Sequence, residues 1–298
     1  MKRLIQTVIA LGLCLMMACC STQTTVQAAA TTMPVYFFAS QICDGTPITV
    51  ARLITEEVSC VHDYTLTVSQ MKAIEQAEMV IISGAGLEDF MEEALLKANL
   101  VVDCSEHIPL LEGSCSHSHE EEDAHGHEEG HAHENDPHYW LDPDNASHMV
   151  EHIVQALSAA YPEYSGILQD NADHLFQQLA EFKEQAKAEL SELSSREIIT
   201  FHDGFGYLAH AFDLEILEAI EEESGSEPSA QELIGLIELV EHHNVAAIFT
   251  ETNGSSSAAG IISAEIGVPV YTLDMAMSGE SWFEAMQHNI DTLKEALG

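Results

Sequence analysis

MVIISGAGLEDFMEEALLKANLVVD, residues 79–103, reads as a strand, a turn, a helix and a second strand. Met79-Val80-Ile81-Ile82 is a buried run that ends at Gly84, Leu87 to Leu96 has helical character, and Leu100-Val101-Val102-Asp103 is the next strand. Strands joined through a helix run parallel, and strands apolar on both sides lie beneath helices on both faces. Working outward, Ile48 to Ile54 reads as a strand, and Ser69 caps a helix through Ala77. A first strand near Gln27 to Thr32 is poor in β-branched residues. The alternation returns late in the chain. Ile198 to Phe201 is a strand, and Pro228 to His242 is a helix with proline in its first turn. Val245 to Thr250 is a strand, Ser255 to Ile266 a helix, Val268 to Tyr271 a strand, and Ser281 to Leu297 a closing helix.

Between the two halves, Asp144 to Leu193 is helix-compatible apart from a break at Tyr161-Pro162. Leu168, Leu175, Leu179 and Phe182 mark one face of a helix of about 30 residues, roughly 45 Å long. The expected fold class is α/β: two α/β lobes with mostly parallel sheets joined by a long helix, with the ligand in the inter-lobe cleft. The expected organisation is a signal peptide over 1–19, a tether over 20–30 and an N-terminal lobe over 31–142, which carries a His-rich acidic loop at 116–137. Linking helices follow over 143–193 and a C-terminal lobe over 194–298.

The N-terminus carries Lys2 and Arg3 before an apolar run from Leu4 to Ala18. At about 15 residues the run is shorter than the roughly 20 needed to span a bilayer, and it reads as a secretory signal. It ends in Leu15-Met16-Met17-Ala18-Cys19, which resembles a bacterial lipobox, so Cys19 is the expected lipid attachment point. Cleavage after Ala28-Ala29-Ala30 is the alternative. Either way the chain is exported, and the lipobox implies an extracytoplasmic protein held to the cell membrane by lipid. Fifty acidic side chains face nine basic ones, a net charge of −41. Such a surface excludes nucleic acid as a partner and draws cations. Of the seven cysteines, Cys43, Cys60, Cys104 and Cys115 lie beyond the signal and could pair as one or two disulfides. None has the C-x-x-C spacing of a zinc knuckle.

The seventeen histidines form two populations. His117, His119, His125, His127, His131 and His133 are interleaved with acidic residues and glycines in a stretch too polar to pack. Imidazoles at His-x-His spacing suit late transition metals, and a loop that must be ordered on binding makes weak, exchangeable sites. The second population is sparse and sits at strand-to-helix junctions. His62 follows the Ile48–Ile54 strand, His138 stands between the acidic stretch and a helix, and His202 follows the Ile198–Phe201 strand. Asp274 follows the Val268–Tyr271 strand. Singly each could be a capping or solvated residue; together they are three imidazoles and a carboxylate, a four-coordinate set for Zn²⁺. His107, His148, His152, His174, His210, His242, His243 and His288 fall mostly on helices and read as surface or packing residues.

These motifs resemble the metal-binding receptors of bacterial ABC importers, the zinc and manganese group of cluster A-I solute-binding proteins. The resemblance runs from Thr31 to Gly298. It rests on His62-Asp63-Tyr64 with Val68-Ser69-Gln70, Gly84-Ala85-Gly86-Leu87-Glu88, Asp136-Pro137-His138-Tyr139-Trp140-Leu141-Asp142-Pro143, His202-Asp203-Gly204-Phe205-Gly206-Tyr207 and Leu273-Asp274. It implies lobes on a rigid linking helix and one metal held by His62, His138, His202 and Asp274. Manganese receptors of the group tend to carry Glu at the third position, where this chain has His202, and a His-rich insertion is a trait of the zinc members. Val61, Val68 and Met275-Ala276-Met277 depart from the group's usual prolines and Pro-Leu.

The expected function is an extracytoplasmic high-affinity zinc receptor, a carrier of its cargo and not an enzyme, that is monomeric and delivers Zn²⁺ to an ABC-transporter permease. The alternatives are a manganese or other transition-metal receptor, a zinc-buffering or adhesin lipoprotein, and a zinc hydrolase. The hydrolase is disfavoured because the one His-Glu-x-x-His match, His127 to His131, falls in the polar, glycine-containing stretch, which cannot hold the precise geometry that catalysis requires.

Overall fold

The structure, a computed structural model, describes residues 26–56, 58, 61, 64–113, 135–221, 230–254 and 257–298. Its strands form two parallel sheets. The first has β1 (Ala28–Ala30), β2 (Val50–Arg52), β3 (Met79–Ile82) and β4 (Val101–Asp103) in the order β2-β1-β3-β4. The second has β5 (Glu197–His202), β6 (Glu215–Glu221), β7 (Ile248–Glu251) and β8 (Val270–Leu273) in the order β6-β5-β7-β8. The two lobes thus share one topology. In each, the chain reverses its direction of travel between the first and third strands, β1/β3 and β5/β7. Such a reversal opens a crevice beyond the strands' C-terminal ends.

The helices are α1 (Met33–Ile42), α2 (Val68–Gln76), α3 (Glu92–Leu95), α4 (Pro143–Ala160), α5 (Ser165–Glu189), α6 (Gly206–Ala211), α7 (Ala230–His243), α8 (Ser257–Ile266) and α9 (Trp282–Leu297). The break at Tyr161-Pro162 separates α4 from α5. The latter has 25 residues, about 38 Å at 1.5 Å per residue, somewhat shorter than its sequence pattern suggests. Leu168, Ala172, Leu175, Leu179, Phe182 and Ala186 form its buried face.

Four local expectations change. Ala28–Ala30, which falls in the expected first strand near Gln27 to Thr32 but also within the expected tether over 20–30, is a fully buried strand paired with β2 on one side and β3 on the other. Cleavage after Ala30 would remove the strand at the middle of the first sheet, so that alternative conflicts with the fold. Thr67, not Ser69, caps α2: its hydroxyl accepts from the Gln70 N–H while the Gln70 side chain accepts from the Thr67 N–H at 2.7 Å. The expected helix over 87–96 is a 3-10 turn at Asp89–Met91 followed by the single turn of α3. Gly84, Ala85 and Gly86 all have positive φ, and Glu88 folds back onto the loop instead of starting a helix. Finally α1, α6 and β6 had no counterpart in the sequence pattern.

α1 completes the molecule's spine. Phe38 on α1 and Phe182 on α5 both pack on the Trp282 ring of α9, with centroids 5.7 and 5.6 Å away. Helices from both ends of the chain therefore meet on the linking helix. Polar links also cross between the halves. Trp140 Nε1 donates to the Met275 carbonyl at 2.9 Å, Trp282 Nε1 donates to the Trp140 carbonyl at 2.9 Å, and Arg52 donates to the Met277 and Gly279 carbonyls.

Cys43 and Cys104 are buried free thiols, so neither closes a disulfide; Cys60 and Cys115 lie outside the described residues. Burial pushes the Cys43 thiol up to about 12, which leaves it protonated and unreactive. Among the described residues no helix is long and apolar enough to cross a membrane. Residues 1–25, and with them Cys19 and the signal, lie outside the described residues.

Candidate metal centre

His202 is the last residue of β5, one of the two strands that flank the second lobe's crevice. It is buried, and among the described residues neither Nδ1 nor Nε2 has a hydrogen-bond partner. An imidazole removed from water with both nitrogens unanswered costs a few kcal/mol unless something pairs with it. Polar hydrogens and a cation are the two chemistries that answer it, and a cation needs no hydrogen. The turn that follows is cut to fit: a Cβ on Gly204 would stand 2.6 Å from His202 Cδ2, 2.8 Å from Nε2 and 2.6 Å from Met275 Cε. Glycine at 204 thus lets the ring and the Met275 methyl lie against the backbone. Glu251 ends β7, and extending the β5–β7 register by two residues brings it beside His202.

His138 approaches from the connection that leads into α4. Its Nδ1 lies 2.8 Å from Asp136 Oδ1, and the same oxygen accepts the His138 backbone N–H at 2.9 Å. The carboxylate holds the proton on Nδ1 and makes Nε2 the basic nitrogen, the arrangement usual behind a metal-bound histidine. Asp136 is itself fixed. Tyr207 donates its hydroxyl to the Asp136 carbonyl at 3.0 Å and accepts from the Leu111 N–H at 2.7 Å. Burial pushes the Tyr207 phenol up to about 12, so it stays a donor.

Tyr139 ties the adjoining 3-10 turn to the first lobe's crevice by donating to the Ser83 carbonyl at 2.6 Å. Glu88 fixes that loop in turn, accepting from Thr31 Oγ1 and from the Ser83 and Gly84 N–H groups at 2.6, 2.7 and 2.9 Å. Burial pushes the Glu88 carboxyl up to about 7, an upward push that the three hydrogen bonds oppose.

The His138 and His202 rings meet with centroids 5.1 Å apart and planes at 84°. Two imidazoles on one tetrahedral zinc, with Zn–N near 2.0–2.1 Å, have centroids about 5 Å apart. Asp274 follows β8 directly. Its backbone is clamped by Asn289, which accepts from the Asp274 N–H at 2.7 Å and donates to the Asp274 carbonyl at 2.8 Å. One carboxylate oxygen accepts the Ala276 N–H at 2.7 Å. Burial pushes this carboxyl upward, against the pull of that N–H and of His288.

His62 lies outside the described residues, as do His117, His119, His125, His127, His131 and His133. Among the described residues no three His, Cys, Asp or Glu side chains form a metal-holding group. Sequence reasoning missed Asp136, Gly204, Met275, Glu88 and Glu251 as parts of the site's surroundings. Asp136 two residues before His138, and Gly204 two after His202, were legible signals left unused.

Two parallel α/β lobes of identical strand order, joined by a helical spine, define a two-lobed α/β architecture in which the buried His138 and His202 rings meet. The chain belongs to the family described as zinc-uptake complex component A, periplasmic, whose model matches residues 29–296. It is 28% identical to a Treponema pallidum chain over 86% of this chain and 83% of that one. It is 30% identical to the zinc-binding lipoprotein AdcA of Streptococcus pneumoniae over 88% of this chain and 54% of that protein. This chain thus spans about half the length of the streptococcal relatives. A crystal structure of ZnuA superposes with a TM-score of 0.78 at 25% identity, covering 91% of this chain and 98% of that one.

Proposed function

We propose that this chain is an extracytoplasmic zinc receptor that captures Zn²⁺ between its lobes and delivers it to the permease of an ABC importer. Family membership and the zinc-binding descriptions of its relatives support this reading. The single observation that carries it to particular residues is His202, a buried imidazole with neither nitrogen paired among the described residues, 5.1 Å from a second buried ring.

The proposed ligands are His62, His138, His202 and Asp274, with His117, His119, His125, His127, His131 and His133 as an accessory collector. Asp136 orients His138 and strengthens it as a donor; Gly204 and Met275 set the pocket around His202. Imidazoles favour zinc over manganese, whose preference is for oxygen. Nothing in this arrangement calls for a substrate other than the cation, and the proposed role is carriage without catalysis. The proposal extends to a monomer tethered by lipid at Cys19, and to lobes near 31–142 and 194–298 around linking helices at 143–193.

The test is calorimetric titration of metal-free full chain with Zn²⁺, repeated with Mn²⁺ and with His202→Ala. The expected result is one tight event for zinc, weaker manganese binding, and loss of at least a hundredfold in the tight event in the variant. Tight binding that survives His202→Ala would overturn the assignment.

A further inference from the structure

Away from the cleft, three of the histidines set aside as surface residues come together. His148 and His152 stand one turn apart on α4, and His107, in the turn after β4, lays its ring parallel to that of His152. The two centroids are 6.3 Å apart and the planes differ by 10°. His107 reaches this position through a left-handed backbone (φ 64°), which a residue with a Cβ adopts uncommonly. Neither the His107 nor the His152 ring makes a hydrogen bond to another described residue. The His148 side chain is 55% exposed, with Glu151 Oε2 3.8 Å from its Nδ1.

We propose that His148 and His152, with His107 as a third ligand, form a second, weaker site for a late divalent transition-metal cation such as zinc. Imidazoles at i and i+4 on a helix lie on one face and chelate a single ion, the spacing that zinc-binding helices use. The 6.3 Å between His107 and His152 exceeds by about 1 Å the separation two rings need on one tetrahedral zinc. The three rings are therefore not a closed ligand set as they stand, and small rotations of the exposed His107 and half-buried His152 side chains close the gap. Glu151 beside the pair and a net charge of −41 raise the local concentration of cations.

Position gives the site its use. α4 starts five residues after His138, and His148 and His152 lie about 8 and 14 Å along its axis at 1.5 Å per residue. A cation held there exchanges readily with solvent and sits within a short diffusive step of the cleft. The site is a loading post on the first lobe. It does not depend on which ion the cleft prefers.

Hydrogen–deuterium exchange at histidine C2, resolved by residue with mass spectrometry, tests this in the full chain. Zinc is added first to one equivalent and then in excess, with Mg²⁺ as control. The expected result is that excess zinc slows exchange at His148 and His152 several-fold, while Mg²⁺ does not. His152→Ala should then abolish the slowing at His148 and leave His202 protected by the first equivalent. Exchange at His148 that ignores excess zinc, or slowing that survives His152→Ala, overturns the second site. Failure of the first equivalent to protect His202 would count against the cleft assignment instead, so the two ideas fail separately.

Discussion

Three donors converge on the Glu88 carboxylate, and the loop they hold carries the carbonyl that anchors Tyr139 beside His138. Glu88→Gln is nearly isosteric, but its amide must turn an NH₂ toward at least one N–H or O–H that now donates. Leaving a buried donor unanswered costs about 1–3 kcal/mol. The pH dependence follows from the cause of the shift. Burial raises the folded-state value to about 7 from the ordinary 4.5, so between these limits the folded chain binds a proton that the unfolded chain lacks. This group's contribution to stability is therefore full below about 4.5 and lost as pH rises through about 7. The stability gap between the native chain and Glu88→Gln, from urea unfolding at pH 5 and pH 8, should be wider at pH 5. A gap wider at pH 8 would mean that the three hydrogen bonds outweigh burial. At this scale the sequence exposed residue types and strand-end positions, which is how His138 and His202 were found. It could not expose Glu88 in its role, because Glu88 acts on partners whose place depends on the folded loop.

The turn between β5 and α6 shows the same division among elements. β5 was legible because Ile198, Ile199 and Phe201 are buried and apolar. By contrast, α6 is too short for a helical period to emerge. β6 was hidden because glutamates recur at every third residue of Glu215–Glu221, which breaks the two-residue alternation that marks a half-buried strand. α1 escaped for the opposite reason: Met33–Ile42 has no charged residue to define a polar face. The composition that conceals α1 also lets it sit in the core against Trp282. Within the β5–α6 turn, Gly204 makes a prediction about cargo. A methyl group there would collide with His202 Nε2 and Cδ2 and with the Met275 methyl, and overpacking of this kind costs about 1–3 kcal/mol. Gly204→Ala should keep the far-UV circular dichroism of the native chain and weaken zinc binding at least tenfold, because the ring must swing off the β5 axis. Unchanged affinity would show that His202 has room to spare.

Across the whole molecule, a cation between the lobes ties together surfaces that α5, α9 and the tryptophan links already hold close. An ion that binds only the folded state stabilises it by RT ln(1 + [L]/Kd), about 4 kcal/mol at a thousandfold excess over Kd. At about 2–4 °C per kcal/mol for chains approaching this length, saturating zinc should raise the melting temperature by roughly 10 °C at pH 7.5. Acid should remove the gain. A ligating imidazole must be neutral, and free histidine takes up its proton near pH 6.5, so protons compete with zinc below that value. The shift should be large at pH 7.5, smaller at pH 6 and nearly absent at pH 5, measured by scanning calorimetry with and without zinc. In His202→Ala the shift should shrink at pH 7.5 as well, which separates loss of the cleft from general acid destabilisation. The α4 pair, His148 and His152, gives a further contrast, since a weak site contributes little to this logarithm. His152→Ala should therefore melt with nearly the native zinc shift. A shift that survived at pH 5, or that depended more on His152 than on His202, would place the stabilising ion somewhere other than between the lobes.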